Sequence, residues 1–411
     1  VKNDTPYSSP DQRSPVLAEI RNLKMAESSH RYVRGSTVKF YEWLEQLRVG
    51  ALPDGPPVWI CGDCHMGNLG PVANAAGQIE IQIRDLDQTV IGNPAHDLVR
   101  LGLSLASAAR GSDLPGVTTV KMLERMMEGY EKAFEPDFHE EIDVEQPKSI
   151  RSAIRHSLSA SWKTLANERI EDDKPTIPLG KRFWPVSAQE KQEISSLFDQ
   201  EAMRRIATML RSRDDDSSVE VMDAAYWVKG CSSLGRLRYA VLLGLDAKNK
   251  EKRAYCLMDI KEAIDAAAPR AAGVKMPSDQ AQRVVEGARH VSPYIGKRML
   301  AAKMMGKSIF VRELLPQDLN LKIKQLSRDE AMRIAEYLSA VVGKAHSRQM
   351  DAKTRKGWQA QLNRNRTKQL DAPTWLWTSI VELLSIHESA YLEHCRKYAL
   401  EEEKQGQRSA A

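Results

Sequence analysis

Asp63, His65 and Asn68 place a carboxylate, an imidazole and an amide within one short run, Gly62-Asp63-Cys64-His65-Met66-Gly67-Asn68. The run follows Val58-Trp59-Ile60, which reads as the end of a buried strand. Ile79 to Ile83 alternates apolar and polar residues as a strand does, and it ends at Asp85-Leu86-Asp87. Two strands therefore carry an Asp/Asn pair and an Asp/Asp pair. Hard oxygen donors of this kind suit Mg²⁺, which phosphoryl-transfer sites hold with one or two carboxylates or amides plus substrate phosphates. The competing reading of Asp63 and Asn68 is an Asx turn between strands.

The chain that must position these residues has 411 residues, enough for two domains or one two-lobed unit. Its 42% hydrophobic content can build a sizeable core, and a net charge of +5 does not mark a dedicated nucleic-acid binder. A run of 18 apolar residues is missing, the first residues lack the pattern of a signal peptide, and five cysteines are few. The expectation is a cytoplasmic, disulfide-free protein with no membrane or nucleic-acid partner.

Periodicity predicts helices over Pro15–Met25, Ser36–Val49, Leu98–Ala109, Val117–Phe134, Ser149–Arg169 and Ala188–Leu210. A charged break at Asp214 to Ser218 marks the main boundary. Strands follow over Ala224–Lys229, Arg236–Leu245, Arg253–Lys261 and Ser308–Leu314, with a helix over Ala281–Val291. Helices return at Asp329–Arg348 and Trp375–Leu400. The division expected is a helical segment over 1–50, the two loops with their helices over 51–215, a strand-rich unit over 219–324, and returning helices over 325–411.

Gly62-Asp63-x-His65-x-x-Asn68 resembles the catalytic loop of aminoglycoside phosphotransferases and related small-molecule kinases. Asp85-Leu86-Asp87, followed by Gly92-Asn93-Pro94-Ala95-His96-Asp97-Leu98, is similar to their metal loop. Cys61 departs from that pattern, which has His there. The resemblance implies that Asp63 is the catalytic base or orients the acceptor hydroxyl, that Asn68 and Asp85 ligate Mg²⁺, and that Asp87 serves a second ion or a ligand's water. It also implies that Asp97 is structural, anchoring the loop through hydrogen bonds. His65 is expected to bond backbone within the loop. Arg34 has two readings, a phosphate contact or a buried partner of a loop carboxylate.

The strand-rich block resembles a kinase small lobe. Gly230-Cys231-Ser232-Ser233-Leu234-Gly235 is a small-residue turn between strands, able to bring N–H groups and hydroxyls to phosphates, although many plain hairpins look the same. Lys261 resembles the kinase β3 lysine that holds nucleotide phosphates, or is an ordinary edge-strand lysine. Glu286 is placed like the helix glutamate that orients that lysine, and Phe310 to Pro316, with Glu313, looks like the hinge strand that meets an adenine. The nucleotide-binding set implied is Gly230, Ser232, Ser233, Gly235, Lys261, Glu286 and Glu313. In the usual kinase chain these pieces precede the catalytic loop, whereas here they follow it. The fold expected is therefore α+β and protein-kinase-like, circularly permuted, with a small antiparallel β lobe and a larger, mainly helical lobe. Nearly the full length also resembles a bacterial family known only as a domain of unknown function, through Arg34-Gly35, the two loops, a GxxSxGxxRY segment and Lys261-Glu262-Ala263.

The function expected is an ATP- and Mg²⁺-dependent phosphotransferase acting on a small-molecule hydroxyl. The alternatives are a nucleotide-binding pseudokinase or regulator, a nucleotidyl (AMP) transferase, and an interaction protein whose loops are only turns. Cys61-Gly62-Asp63-Cys64-His65 also spells the c-type haem pattern, but haem attachment needs export, and neither haem nor zinc is expected. The basic run Lys353 to Lys368 reads as a solvated helix face, with an anionic partner as the other reading.

Overall fold

Two short ribbons carry the acidic loops. β1 (Val58–Ile60) pairs antiparallel with β4 (Val90–Gly92), and β2 (Leu69–Ala73) pairs with β3 (Ile79–Ile83). Residues 61–68 join β1 to β2, and residues 84–89 join β3 to β4. Because the first strand pairs with the fourth and the second with the third, the two loops must lie side by side. β2 was not expected, since Gly70 and Pro71 weaken a strand pattern. The Pro is tolerated because β2 has only β3 as a neighbour.

The structure is a computed structural model that describes residues 10–112, 114–135, 145–159, 176–210, 217–230, 234–246, 253–314, 327–363 and 372–409. Among the described residues the architecture is mixed α+β, with one larger antiparallel sheet of six strands. Its order is β5 (Phe183–Trp184), β6 (Ser218–Trp227), β7 (Arg238–Asp246), β8 (Ala254–Glu262), β10 (Lys307–Glu313) and β9 (Met299–Met304). β9 was not expected, because its Ala-rich sequence favours helix. Pairing with β10 overrides that preference through a two-residue turn at Met305 and Gly306, both at positive φ, 51° and 73°.

One face of the sheet is covered by α7 (Ala188–Phe198) and α8 (Glu201–Thr208), through Ile194, Leu197, Phe198, Met203 and Ile206 against Tyr239, Val241, Ile260 and Val311. The single helix expected over Ala188–Leu210 is thus two, broken between Phe198 and Glu201. Ser187 and Glu190 form a capping box at the start of α7. The Glu190 carboxylate also accepts from Arg13 at 2.6 Å and from the Tyr239 hydroxyl at 2.7 Å. Arg13 belongs to α1 (Pro10–Ala26), so one buried ion pair fastens the first helix to the sheet. With β5, α7 and α8 on the sheet, residues before 215 join the strand-rich unit together with those of 219–324.

On the other face lies α9 (Gln280–Val291), capped by Asp279, whose side chain accepts from the Gln282 N–H. Its Val284, Val285 and Ala288 share one core with Phe310 of the sheet and Ile60 and Val90 of the first ribbon. Behind the ribbons stand α4 (Pro94–Arg110), α5 (Gly116–Lys132), α11 (Arg328–Ser347), α12 (Ala352–Leu362) and α13 (Thr374–Ser409). α4 is small and apolar almost all round, and it is buried accordingly. α5 and α11 approach closely at Gly129, where a Cβ would stand 2.0 Å from the Glu336 carbonyl oxygen. Against the helical body pack α2 (Ser29–Gly35), α3 (Thr37–Gln46) and α6 (Lys148–Ser159), while the short α10 (Pro293–Gly296) lies against α9 and β2. Among the described residues no helix is long and apolar enough to cross a membrane.

Candidate active site

The loop after β1 is held from below. Asp97, in the first turn of α4, accepts the Cys61 N–H at 2.7 Å on one oxygen and the Gly62 N–H at 2.9 Å on the other. His346 of α11 approaches the same carboxylate with Nε2 at 3.1 Å, and its Nδ1 faces the Tyr130 hydroxyl at 2.9 Å. The Trp358 indole N–H donates to that hydroxyl at 3.1 Å. A consistent set of donors runs from Trp358 to Tyr130, then to His346 Nδ1, and from His346 Nε2–H to Asp97. All four side chains are buried. Asp97 therefore positions the loop. Gly62 takes φ +75°, and a Cβ there would meet the Gln88 carbonyl oxygen at 2.1 Å, so a larger residue would push the two loops apart.

Asp63 follows and is fastened by a residue the sequence did not single out. Arg100 Nε donates to Asp63 Oδ1 at 2.8 Å, and its Nη2 donates to the Val33 carbonyl at 2.7 Å. Burial raises the Asp63 carboxyl above its ordinary value, against the opposing pull of Arg100 and Thr37. Arg100 lies three residues after Asp97 on the same helix, and that spacing is the signal that could have found it. It fills the buried ion-pairing role considered for Arg34. Arg34 is itself exposed, with its guanidinium against Gly67. His65 does not bond backbone through its ring as expected. Its Nδ1 is buried without a partner, its Nε2 lies 3.9 Å from Asp63, and burial with Arg34 and Arg100 holds its pKa well below 6.5. Cys61 and Cys64 are buried thiols, and burial above all raises the Cys61 pKa well above 9.0.

Asn68 ties the loops together. Its Nδ2 donates to the Asp85 carbonyl at 2.9 Å and the Asp63 carbonyl at 3.1 Å, and its carbonyl accepts the Arg84 N–H at 2.8 Å. The Asn68 Oδ1 is left for another partner. Asp85 is half exposed, and Lys261 Nζ reaches it at 3.1 Å while also pairing with Asp87. Burial works to raise Asp85, but Lys261, a hydrogen bond from Asp87, Arg238 and Arg312 hold its carboxyl well below the usual range. Asp87 is pushed up to about 6, by burial first and then by the neighbouring Asp85 charge. Its Oδ1 is buried and accepts no hydrogen bond.

The sheet meets these loops through cations. On β7 and β8, Arg238 and Lys261 stand directly opposite one another, and Asp259 opposes Arg312 of β10. Asp259 is fully buried and bonds both arginines, Arg238 at 2.9 Å and Arg312 at 3.3 Å. Arg312 also donates to the Arg84 carbonyl at 2.8 Å. Lys229 lies over the Trp227 ring, its pKa pushed down to about 7 by burial and then by Arg238. These partners share one strand face with Lys261, a signal present in the two-residue spacing of Asp259 and Lys261.

The expected pairing of Glu286 with Lys261 is not formed. Glu286 instead meets Arg289 at 3.2 Å and His290 at 3.7 Å on its own helix, while Lys261 is satisfied by Asp85 and Asp87. The α9 residue that reaches the site is Arg283, which donates to the Asp87 carbonyl at 2.9 Å, the Ile264 carbonyl at 2.8 Å and the Thr89 carbonyl. Glu313 ends β10 with its side chain buried, and its carbonyl accepts from Arg298 at 3.2 Å. Gly230 and Gly235 both take positive φ, 90° and 93°, as a tight turn requires. Ser232 and Ser233 lie outside the described residues.

A cavity of about 300 Å³ gathers Asp63, Asn68, Asp85 and Asp87 on one side, with residues of α1, α3 and α13 and Arg236 around the rest. Among the described residues no three His, Cys, Asp or Glu side chains converge as a metal cage. The donors present are two carboxylates and an amide oxygen, one carboxylate oxygen being buried without a partner. That set suits a hard cation completing its shell with water and substrate oxygens.

No curated protein and no solved structure matches the chain. One family does, over residues 13–397, described as uncharacterized protein conserved in bacteria (DUF2252). The chain belongs to that bacterial family.

Proposed function

We propose that the chain is an ATP- and Mg²⁺-dependent phosphotransferase of circularly permuted, kinase-like fold, acting on a small-molecule hydroxyl. The observation that carries this is the meeting of Lys261 with Asp85 and Asp87, beside Asp63 and Asn68 on one cavity wall. The row of cations that the sheet presents beside the loops, Lys261, Arg238 and Arg312, supports it, since Lys and Arg are the side chains that recognise phosphate.

In this reading Asn68, Asp85 and Asp87 would hold Mg²⁺, whose chemistry is to neutralise charge on the transferring phosphoryl group. Lys261 holds the phosphates. Asp63, kept in place by Arg100 and more basic than an exposed carboxylate, accepts the hydroxyl proton. The acceptor oxygen bonds to the γ-phosphorus, and the bond to the ADP oxygen breaks. Cytoplasmic location and the nucleotide partner belong to the same proposal.

The test is a thermal shift with Mg-ATP on wild type and Asp85→Ala, followed by product analysis with labelled ATP. Stabilisation of wild type and its loss in Asp85→Ala are expected, since a ligand of the native state must stabilise it. No shift in wild type would sink the reading. The Asp63–Arg100 ion pair favours a second reading, a nucleotide-binding pseudokinase, because Arg100 already occupies Oδ1, one of the two oxygens that could take the hydroxyl proton. Binding without release of ADP would select it, and products retaining AMP would select nucleotidyl transfer.

A further inference from the structure

The cavity beside the acidic loops has a second wall of different chemistry. α1 contributes Arg21 and Asn22, α13 contributes His394 and Tyr398, and Arg236 enters from just after the Gly235 turn. On the first wall Asp63 pairs with Arg100, and Asp85 and Asp87 share Lys261, with Arg238 and Arg312 also holding the Asp85 carboxyl low. Among the described residues the Arg236 guanidinium has no ion-pair or hydrogen-bond partner. The charged groups of the second wall are basic. His394 and Tyr398 pack with tilted rings, centroids 4.6 Å apart, and His394 Nε2 is fixed 2.8 Å from the Asn22 carbonyl, so the aromatic part of the wall is held in place.

We propose that this cavity takes a compact hydroxyl compound carrying negative charge, with Arg236 and Arg21 holding its anionic group and His394 and Tyr398 lying against its body. The word acceptor rests on the phosphotransferase reading, but the charge preference does not. A volume of about 300 Å³ sits at the small end of ligand sites, so the compound is of sugar or polyol size. An arginine recognises phosphate or carboxylate by paired N–H donors, and a cationic compound would meet Arg236 and Arg21 at a cost. The anionic group binds the arginines while a hydroxyl is offered to Asp63, and that two-point contact fixes which hydroxyl reacts.

The experiment is calorimetric titration of the full chain, with and without Mg-ADP, using matched sets on three skeletons. Each set holds the neutral polyol, its phosphate ester and its amine: glycerol, glycerol 3-phosphate and serinol; glucose, glucose 6-phosphate and glucosamine; and inositol, inositol 1-phosphate and aminoinositol. The phosphate ester should bind at least tenfold more tightly than the neutral member of the best-binding set, and the amine least. Arg236→Gln should remove about tenfold of that preference, roughly the effect of one charge-assisted contact, and Arg236→Lys should restore part of it. Tightest binding by a neutral or amine member, no binding by any phosphate ester, or an undiminished preference in both Arg236→Gln and Arg21→Gln overturns the proposal. Circular dichroism shows whether the variants fold. Mg-ADP binding measured alone decides the phosphotransferase reading separately, because the sets are also titrated without nucleotide.

Discussion

Lys261 and Asp85 are separated by 176 residues of chain and by 3.1 Å in the fold. Lys261 comes from the third long strand of the sheet, and Asp85 from the loop between two small ribbons. Neither element approaches the other through local sequence. What joins them is a row of cations from α9, the sheet and the turn before β9: Arg283, Arg312 and Arg298 each donate to carbonyls of the ribbon segment, at Asp87, Arg84 and Ala73.

Lys261→Met should leave Asp85 and Asp87 as adjacent carboxylates without their cation. The Lys261 side chain is only 4% exposed, so the loss without ligand should be about 2 kcal/mol, within the range for breaking buried pairs after allowance for the exposed Asp85. Mg²⁺ should return part of that stability. Urea unfolding with and without Mg²⁺ measures both, and equal stability of variant and wild type in the absence of metal would contradict the pairing.

Arg283→Ala and Glu286→Ala separate two residues of one helix. Arg283 is buried and satisfies three carbonyls, so its loss should cost about 2–4 kcal/mol, as for other broken buried networks. Glu286 is partly exposed and pairs only on its own helix, so its loss should stay within about 0.5 kcal/mol. Denaturation midpoints decide it. A larger cost for Glu286 would return it to the site.

Asp97→Ala removes the acceptor of two loop N–H groups and of His346 at once. A loss on the order of 3 kcal/mol is expected for a buried charged acceptor. Amide exchange at Cys61 and Gly62 should rise far more than exchange elsewhere. Exchange at these two positions no faster than in wild type would show that the loop is anchored by something else.

Acid should release α1 from the sheet. Burial would raise Glu190, but hydrogen bonds from Arg13, the Ser187 N–H and the Tyr239 hydroxyl outweigh it and hold the carboxyl below its ordinary 4.5. A depressed carboxyl contributes stability that is fully present above 4.5 and is lost as pH falls through the folded-state value. The melting temperature of wild type should therefore drop below pH 4.5, and Glu190→Gln, already weaker at neutral pH, should drop less. Parallel curves for the two proteins would count against this pair as the source.

Much of the site's membership was legible in the chain. The Asp63–Asn68 run and the Asp85–Asp87 run stand out because oxygen donors at strand ends are uncommon outside turns and metal sites. Most helices and the long strands followed from periodicity. β9 and β2 did not, because an Ala-rich run and a Gly-Pro run carry no strand signal until a partner supplies hydrogen bonds. Glu286 was read by spacing from a resemblance, and spacing along the chain does not say which face of α9 turns toward the loops. Arg283, three residues earlier, is the one that does.

The sequence by itself determined which groups could do chemistry and in what order they come, since residue types and short intervals are local properties. Tertiary structure decided which groups meet. Asp63 belongs with Arg100, Asp97 with His346, and Lys261 with two aspartates from much earlier in the chain. Those pairings depend on which strand pairs with which and on which buried charge finds a counter-charge, and both are settled only when distant elements pack together.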